Sequence, residues 1–322
     1  NTQFNSCINC HTTSQGDPSR SSIHIRGSKG GTLLDIDGEM KAYNTKTPET
    51  IGSCGYTHWH PSGEYIGYSS NLVRQGFHVN AEKLIEVYDL DSDAQVYDIK
   101  NNTLISAPSI KKVDVWETYP AFSADGRTLY FCAATPKYIA TEFKEIRYNI
   151  CSVDFDPETG TIDTVIFAEG MGKSATFARP SYDGRFIVYN IADYGNFPLY
   201  HHEADLWILD LETGDTRPMS KANSDDTESY HGWSSNSRWL MFNSRRDDGL
   251  YSRLYFTHVD ENGQEGKAFM LPQKHPLHHY SYENRSYNVA EFVTGPVNFD
   301  RIKAEKLVSS KNKVQFGFRM CE

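Results

Sequence analysis

Tyr119-Pro120-Ala121-Phe122-Ser123-Ala124-Asp125-Gly126-Arg127-Thr128-Leu129-Tyr130-Phe131 is the stretch on which the fold turns. Asp125-Gly126 sits between two apolar runs, and both residues tolerate positive φ, so the segment reads as a tight hairpin. Three further segments carry the same frame: Trp59-His60-Pro61-Ser62-Gly63-Glu64-Tyr65-Ile66, Arg179-Pro180-Ser181-Tyr182-Asp183-Gly184-Arg185-Phe186, and Gly232-Trp233-Ser234-Ser235-Asn236-Ser237-Arg238-Trp239. Their turn positions are Gly63, Gly126, Gly184 and Ser237, at steps of 63, 58 and 53 residues. A period of this length marks a stack of similar supersecondary units.

An alternating apolar strand running into a polar turn follows each frame: Ile85–Asp91, Ile150–Asp156, Leu206–Gly214 and Leu254–Asp260. A further strand then leads to the next frame. Four antiparallel strands per unit is the plan of a propeller blade, which must stack on its neighbours to bury both faces. The frames resemble the TolB-type propeller repeat, a Pro-x-Trp-Ser-Pro-Asp-Gly pattern followed by an apolar strand, over about residues 50–270. The resemblance implies a fold and no particular activity. Gly31–Gly38 followed by Glu39–Tyr43 reads as another hairpin, turning at Asp37-Gly38, and Asn288–Val293 as a strand near the C-terminus. The expected fold is an all-β propeller of four-stranded antiparallel blades, five in number with six as the alternative, closed by strands from both termini. The expected organisation is an N-terminal extension over 1–30, the propeller over 31–300 and a C-terminal segment over 301–322.

The 322 residues are 38% hydrophobic and 13% aromatic, with 20 Tyr, a balance that favours strands. The formal charge of −10 argues against nucleic acid and anionic membrane as partners. No apolar run is long enough to span a bilayer as a helix. Cys132 and Cys151 fall on neighbouring strands, where a disulfide and two buried thiols are both open.

Cys7-Ile8-Asn9-Cys10-His11 has the C-x-x-C-H spacing of c-type haem attachment. Two thiols bond the porphyrin vinyl groups and the adjacent imidazole ligates iron. The polar run 12–22 allows a loop to bring His24 to the far side of the iron, with Arg26 for a propionate; His58 and His60 are rival distal ligands. A zinc site using Cys7, Cys10, His11 and either Cys54 or His58, a redox disulfide and a structural disulfide are the competing readings. The Cys7–His11 motif, His24 to Arg26, and Gly31-Thr32-Leu33 together resemble the haem-motif segment preceding TolB-like propellers in envelope proteins of Bacteroidetes-type bacteria. That resemblance implies a periplasmic or envelope location, reached through a signal peptide outside this chain.

His58, His60 and His231 lie at matching ends of the first and fourth frames. Metal-dependent polysaccharide lyases with TolB-like blades place histidine ligands on the channel, so the resemblance allows a Zn or Mn site from these three, with Glu228. His201-His202 and His275–Tyr280 read as solvated loops, and Arg245–Gly249 as a turn with internal salt bridges. No nucleophile elbow, phosphate-binding glycine loop or HExxH helix is present. The functional expectation is therefore a non-catalytic binding or electron-transfer propeller carrying haem c. It would act as a monomer, with an envelope protein or redox partner. A metal-dependent carbohydrate-active enzyme and a protein-interaction scaffold with an unused haem motif are the alternatives.

Overall fold

In the computed structural model, which describes residues 8–27, 30–77, 79, 85–169 and 172–321 (backbone only at 9, 10 and 164–169), the four frames form one repeated turn. The N–H of Gly63, Gly126, Gly184 and Ser237 donates to the carbonyl three residues earlier, at 2.8–3.0 Å. Their φ values are 71°, 74°, 76° and 55°. Serine 237 therefore adopts the left-handed conformation that glycine supplies in the other three. Ser123, Ser181 and Ser234 each bond the Asp or Asn two residues on, at 2.6–2.7 Å, closing the turn from inside. Asp37-Gly38 forms the expected hairpin turn, with φ of 54° and 85°.

Among the described residues these turns organise five sheets. The first holds β1 (Ile8–Ser14), β2 (Asp17–Ile25), β3 (Gly31–Ile36) and β4 (Glu39–Asn44). The second holds β5 (Cys54–Trp59), β6 (Tyr65–Phe77), β7 (Ile85–Asp98) and β8 (Thr103–Ser106). The third holds β9 (Trp116–Phe122), β10 (Thr128–Ala134), β11 (Asn149–Asp156) and β12 (Thr161–Glu169). The fourth holds β13 (Ser174–Pro180), β14 (Phe186–Ala192), β15 (Asp205–Asp210) and β16 (Thr216–Pro218). The fifth holds β17 (Glu228–Trp233), β18 (Trp239–Ser244), β19 (Arg253–His258) and β20 (Phe269–Met270). Within each, successive strands pair antiparallel. The fold is all-β, as expected. The stretch expected as an extension supplies the first sheet's opening strands, because Arg20–Ile25 of β2 pair with the whole of β3.

The core is a series of slabs between neighbouring sheets, as stacked blades require. Leu34, Tyr43, Trp59, Tyr68 and Tyr97 fill the space between first and second sheets. Val96, Ile105, Phe122, Phe131 and Phe155 fill the next. Tyr119, Tyr130, Ile150, Tyr189 and Ile191 fill the third. Phe186, Ile208, Met219, Trp233 and Phe242 fill the fourth. Cys132 and Cys151 are buried free thiols, so that alternative holds over the disulfide.

The C-terminal chain behaves differently from expectation. Residues 288–293 form no strand. They nevertheless occupy the place of one. Asn190, six residues after its turn glycine, donates to the Glu228 carbonyl on the next sheet at 2.6 Å. Asn243, six residues after Ser237, donates instead to the carbonyls of Tyr287 and Asn288, at 2.9 and 3.1 Å. On the other side the Thr294 N–H donates to Gly16 at 2.9 Å. The segment thus lies between the fifth sheet and the first. Beyond it, the helix Arg301–Ser309, capped by the Asp300 carboxylate on two N–H groups at 3.0 Å, covers Ile25, Leu33, Met40 and Ala42 with Ala304 and Val308. Finally β21 (Val314–Gln315) and β22 (Gly317–Met320) pair parallel with β4 and β8. The C-terminal end therefore adds a short parallel edge to each of the first two sheets, while the N-terminal strands β1 and β2 belong to the first.

A candidate binding site on the axis

The inner strands β1, β5, β9, β13 and β17 lie next to one another in that order. Four of them bulge at one repeated aromatic, Tyr56, Tyr119, Phe177 and Tyr230, with φ of 51°, 54°, 56° and 49°. A bulky residue held there costs about 1–3 kcal/mol and persists only where surroundings enforce it. The rings enforce it on one another. Tyr56 meets Tyr119 edge-on at 4.8 Å, Tyr119 stacks on Phe177 at 4.0 Å, and Phe177 meets Tyr230 edge-on at 5.2 Å. Together they form an aromatic floor across the axis. Along β5, Gly55 and Tyr56 line a cavity on one side, and Thr57, His58 and Trp59 line another beyond the floor.

The cavity beyond the floor measures about 120 Å³ and takes walls from all five inner strands or their ends, closed by Val289–Phe292. His11, His58, Arg179, His231 and Glu291 face it. The structure thus brings together three histidines that the sequence singled out and adds two residues that it did not. Arg179 stands two residues after its bulge aromatic, as His58 stands after Tyr56, so the repeat frame carried its signal. Glu291 carried none, since its segment belongs to no repeat.

Each polar group has a defined state. The Phe122 N–H donates to His58 Nδ1 at 3.2 Å, which puts the proton of the neutral ring on Nε2. Burial, and then the Arg179 charge, pull His58 down to about 3, so it is neutral at pH 7. His231 is held near 3 by the same two causes in the same order, against the Val188 and Phe177 carbonyls. Its Nε2–H donates to the Val188 carbonyl at 2.8 Å, leaving Nδ1 a buried acceptor with no hydrogen bond among the described residues. Arg179 lies 5.5 Å from the Phe177 ring centre and donates to its neighbour's carbonyl, Ala178 O, at 2.9 Å. Glu291 accepts from Thr13 N–H at 2.9 Å and Thr13 Oγ1 at 3.2 Å; burial pushes its pKa up. A cation, neutral donors and one bare acceptor suit a small anionic ligand.

Several expected constellations are not assembled. In the β1–β2 register Cys10 faces His24 and His11 faces Ile23. Successive strand residues alternate faces, so His11 and His24 lie on opposite faces of the first sheet and cannot grip one iron between them. His24 is buried, bonded through Nδ1 to Thr32 Oγ1 at 3.0 Å, and desolvation lowers it to about 4. Arg26 is exposed and sits 6.0 Å from the Tyr56 ring centre, on His24's side of the floor. Cys7 lies outside the described residues, and Cys10 is described by its backbone. Cys54 is buried against Thr45 and Gln95, and burial pushes its thiol to about 12, so it offers nothing to a zinc site at the motif.

His60 is absent from the axial cavity. It takes the place of Ser123 in the turn frame, with Nδ1 on Ser62 at 2.8 Å and Nε2 on the Gly126 carbonyl at 3.0 Å. Glu228 is fully buried and bound by Ser224, Ser244 and Arg246, the last at 2.8 Å, so the expected turn salt bridge reaches it rather than staying within 245–249. The trio His58, His60 and His231 is therefore not a ligand set. Among the described residues, no group of three or more His, Cys, Asp or Glu is placed to hold a metal. His201, expected in a solvated loop, is 2% exposed and bonded to Glu203 at 2.9 Å. Pro276–Tyr282, also expected as a loop, is a short helix without buried residues.

Solved structures share this architecture. A TolB-type protein of Agrobacterium tumefaciens superposes with a TM-score of 0.50 at 15% identity, over 81% of this chain and 80% of its own. An oligogalacturonate lyase in complex with manganese gives 0.50 at 12% identity, over 83% and 68%. A puromycin-hydrolysing peptidase of Mycobacterium tuberculosis gives 0.51 at 12%, over 84% of this chain and 39% of its own. The fold is thus that of TolB-like β-propellers, and identities this low carry the fold alone. No protein-family model matches the chain, and no curated protein matches it by sequence. No helix among the described residues is long and apolar enough to cross a membrane.

Proposed function

We propose that this chain is a ligand-binding, non-catalytic propeller of five blades, its ring completed by residues 287–294, and that its axial cavity captures a small hydroxy-carboxylate. One observation carries the reading: Arg179, His58 and His231 converge on one cavity, and His231 Nδ1 there has no hydrogen bond among the described residues. The guanidinium presents a planar fork to a carboxylate. His58 Nε2–H is a further donor, and His231 Nδ1 accepts from a hydroxyl beside the carboxylate. The cavity holds the acid group while the rest of the ligand extends past exposed His11. Glu291 is the competing anion, and its raised pKa makes binding stronger as pH falls. Calorimetric titration with glycolate and with galacturonate tests this: binding should appear and vanish in Arg179→Gln. No binding of either, or equal binding by the variant, would refute it.

A second reading is favoured by Cys7–His11 itself, since His11 is exposed at the cavity's mouth. The cavity is too small for a tetrapyrrole, which ordinarily needs a site in the range of about 300–1,000 Å³. A haem c on this motif would rest outside it, with His11 as one ligand and redox chemistry as its contribution. That reading places the protein in the periplasm or envelope, exported by a signal peptide, beside a redox or envelope partner. Expression with thioether-forming machinery should give a red protein whose haem survives acid extraction. Colourless protein with unmodified Cys7 and Cys10 by mass spectrometry would end it.

A further inference from the structure

On the other side of the aromatic floor lies a larger cavity, about 520 Å³, between the first sheet, the second sheet and the C-terminal chain. We propose that it is a second binding site, for a compact polyanion bearing several carboxylate or phosphate groups. Among the described residues its lining holds four cationic side chains, Arg26, Lys46, Lys311 and Lys313, and no acid. The chain as a whole has 42 acidic and 32 basic residues, so a cavity with only bases departs from the general surface.

The wall is built rather than incidental. β21 pairs with the end of β4, Val314 beside Tyr43 and Gln315 beside Asn44, which brings Lys311 and Lys313 next to Lys46 from the other end of the chain. Asn44 Nδ2 donates to Gln315 Oε1, and Gln315 Nε2 donates to the Lys46 carbonyl, both at 2.7 Å. Gly30 roofs the rim in a turn where a Cβ would lie 2.1 Å from the Ile25 carbonyl. Among the described residues, Lys46, Lys311 and Lys313 enter no ion pair. Like charges gathered this way repel, and an anion with several charges relieves that at one stroke. Its volume is that of an ordinary small-molecule site, about 300–1,000 Å³.

This site is independent of Arg179, which lies beyond the floor. The test titrates the full chain with pyrophosphate and, separately, with propane-1,2,3-tricarboxylate, which has no hydroxyl for the axial cavity, so that phosphate and carboxylate recognition are distinguished. At least one should bind one-to-one. Lys46→Gln/Lys311→Gln/Lys313→Gln should weaken it roughly ten-fold or more, and added salt should weaken it steeply. Arg179→Gln should leave it unchanged. A matching melting temperature shows that the triple variant is folded; if it is not, exposed Lys311→Glu by itself replaces it, with the same weakening expected. Silence with both anions, undiminished binding by the lysine variants, or loss in Arg179→Gln would overturn the proposal.

Discussion

The two sides of the aromatic floor are built from the same repeated strands and have opposite electrostatic solutions. Beyond the floor, a guanidinium is kept charged and the imidazoles beside it are kept neutral. On the near side a buried acid, Asp89, 1% exposed, lies behind Asn71 and outside the cavity lining. It accepts from Asn196 Nδ2 at 2.6 Å, Asn71 Nδ2 at 3.0 Å and Tyr148 OH at 3.4 Å, while its Oδ1 has no hydrogen bond among the described residues. Burial raises Asp89 to about 7 in spite of those donors. The comparison teaches that the repeat fixes where side chains enter the axis, while the charge each buried group adopts depends on what it meets there.

The largest effect should come from removing the floor itself. Tyr119 is fully buried, stacked on Phe177, and its hydroxyl donates to the Asn196 carbonyl at 3.0 Å. Tyr119→Ala should cost about 3–5 kcal/mol in urea unfolding, the usual loss for a large buried ring. A loss under about 1 kcal/mol would mean that the two sides are not separated by packing.

Asp89→Asn should sharpen the contrast. A carboxyl whose folded pKa is raised holds its proton in the native state while the unfolded chain releases it. Ionisation therefore disfavours folding as pH rises from about 4 toward 7. The amide removes that penalty, so the variant should be more stable at pH 8, by an amount on the order of 2–3 kcal/mol. The gain should shrink below pH 7 and vanish near 4. Thermal melts across that range check it, and a destabilised variant at pH 8 would contradict the assignment.

The histidines should act in the opposite sense. His58 and His231 have lowered pKa values, so their contribution is complete above about 6.5 and is lost as pH falls toward 3. Each adds at most about 1.4 kcal/mol per pH unit to the acid decline of stability. His231→Phe should flatten that decline by about one such share. An unchanged slope would mean that His231 is not neutral in the native protein.

Much of this was legible from the residues. The four repeated turns, two of them Asp-Gly, marked four of the five sheets, and Asp37-Gly38 marked the hairpin of the remaining one. Ser237 at φ 55° shows why the pattern survived the loss of its glycine: the turn's hydrogen bonds impose the conformation on serine. The errors have local causes too. His60 stands where the frame has Ser123, so alignment of the turns already assigned it to turn closure. His24 follows His11 across a tight hairpin, and strand alternation separates them. Arg179 was legible by its offset from Phe177, but the channel was expected to hold a metal on His58, His60, His231 and Glu228, a role to which an arginine does not lend itself.

Turn chemistry and strand alternation are written within a few neighbouring residues, and that is why the repeated sheets and the buried face of each strand could be read from the residues alone. Convergence is not local. Glu291 reaches Thr13, Asn243 reaches Tyr287, and Lys313 reaches the end of β4 only after the sheets have stacked and the C-terminal chain has wrapped back onto the first two. No residue type or spacing specifies that path, because its energy lies in contacts between distant segments, and those contacts settle which charges face each cavity.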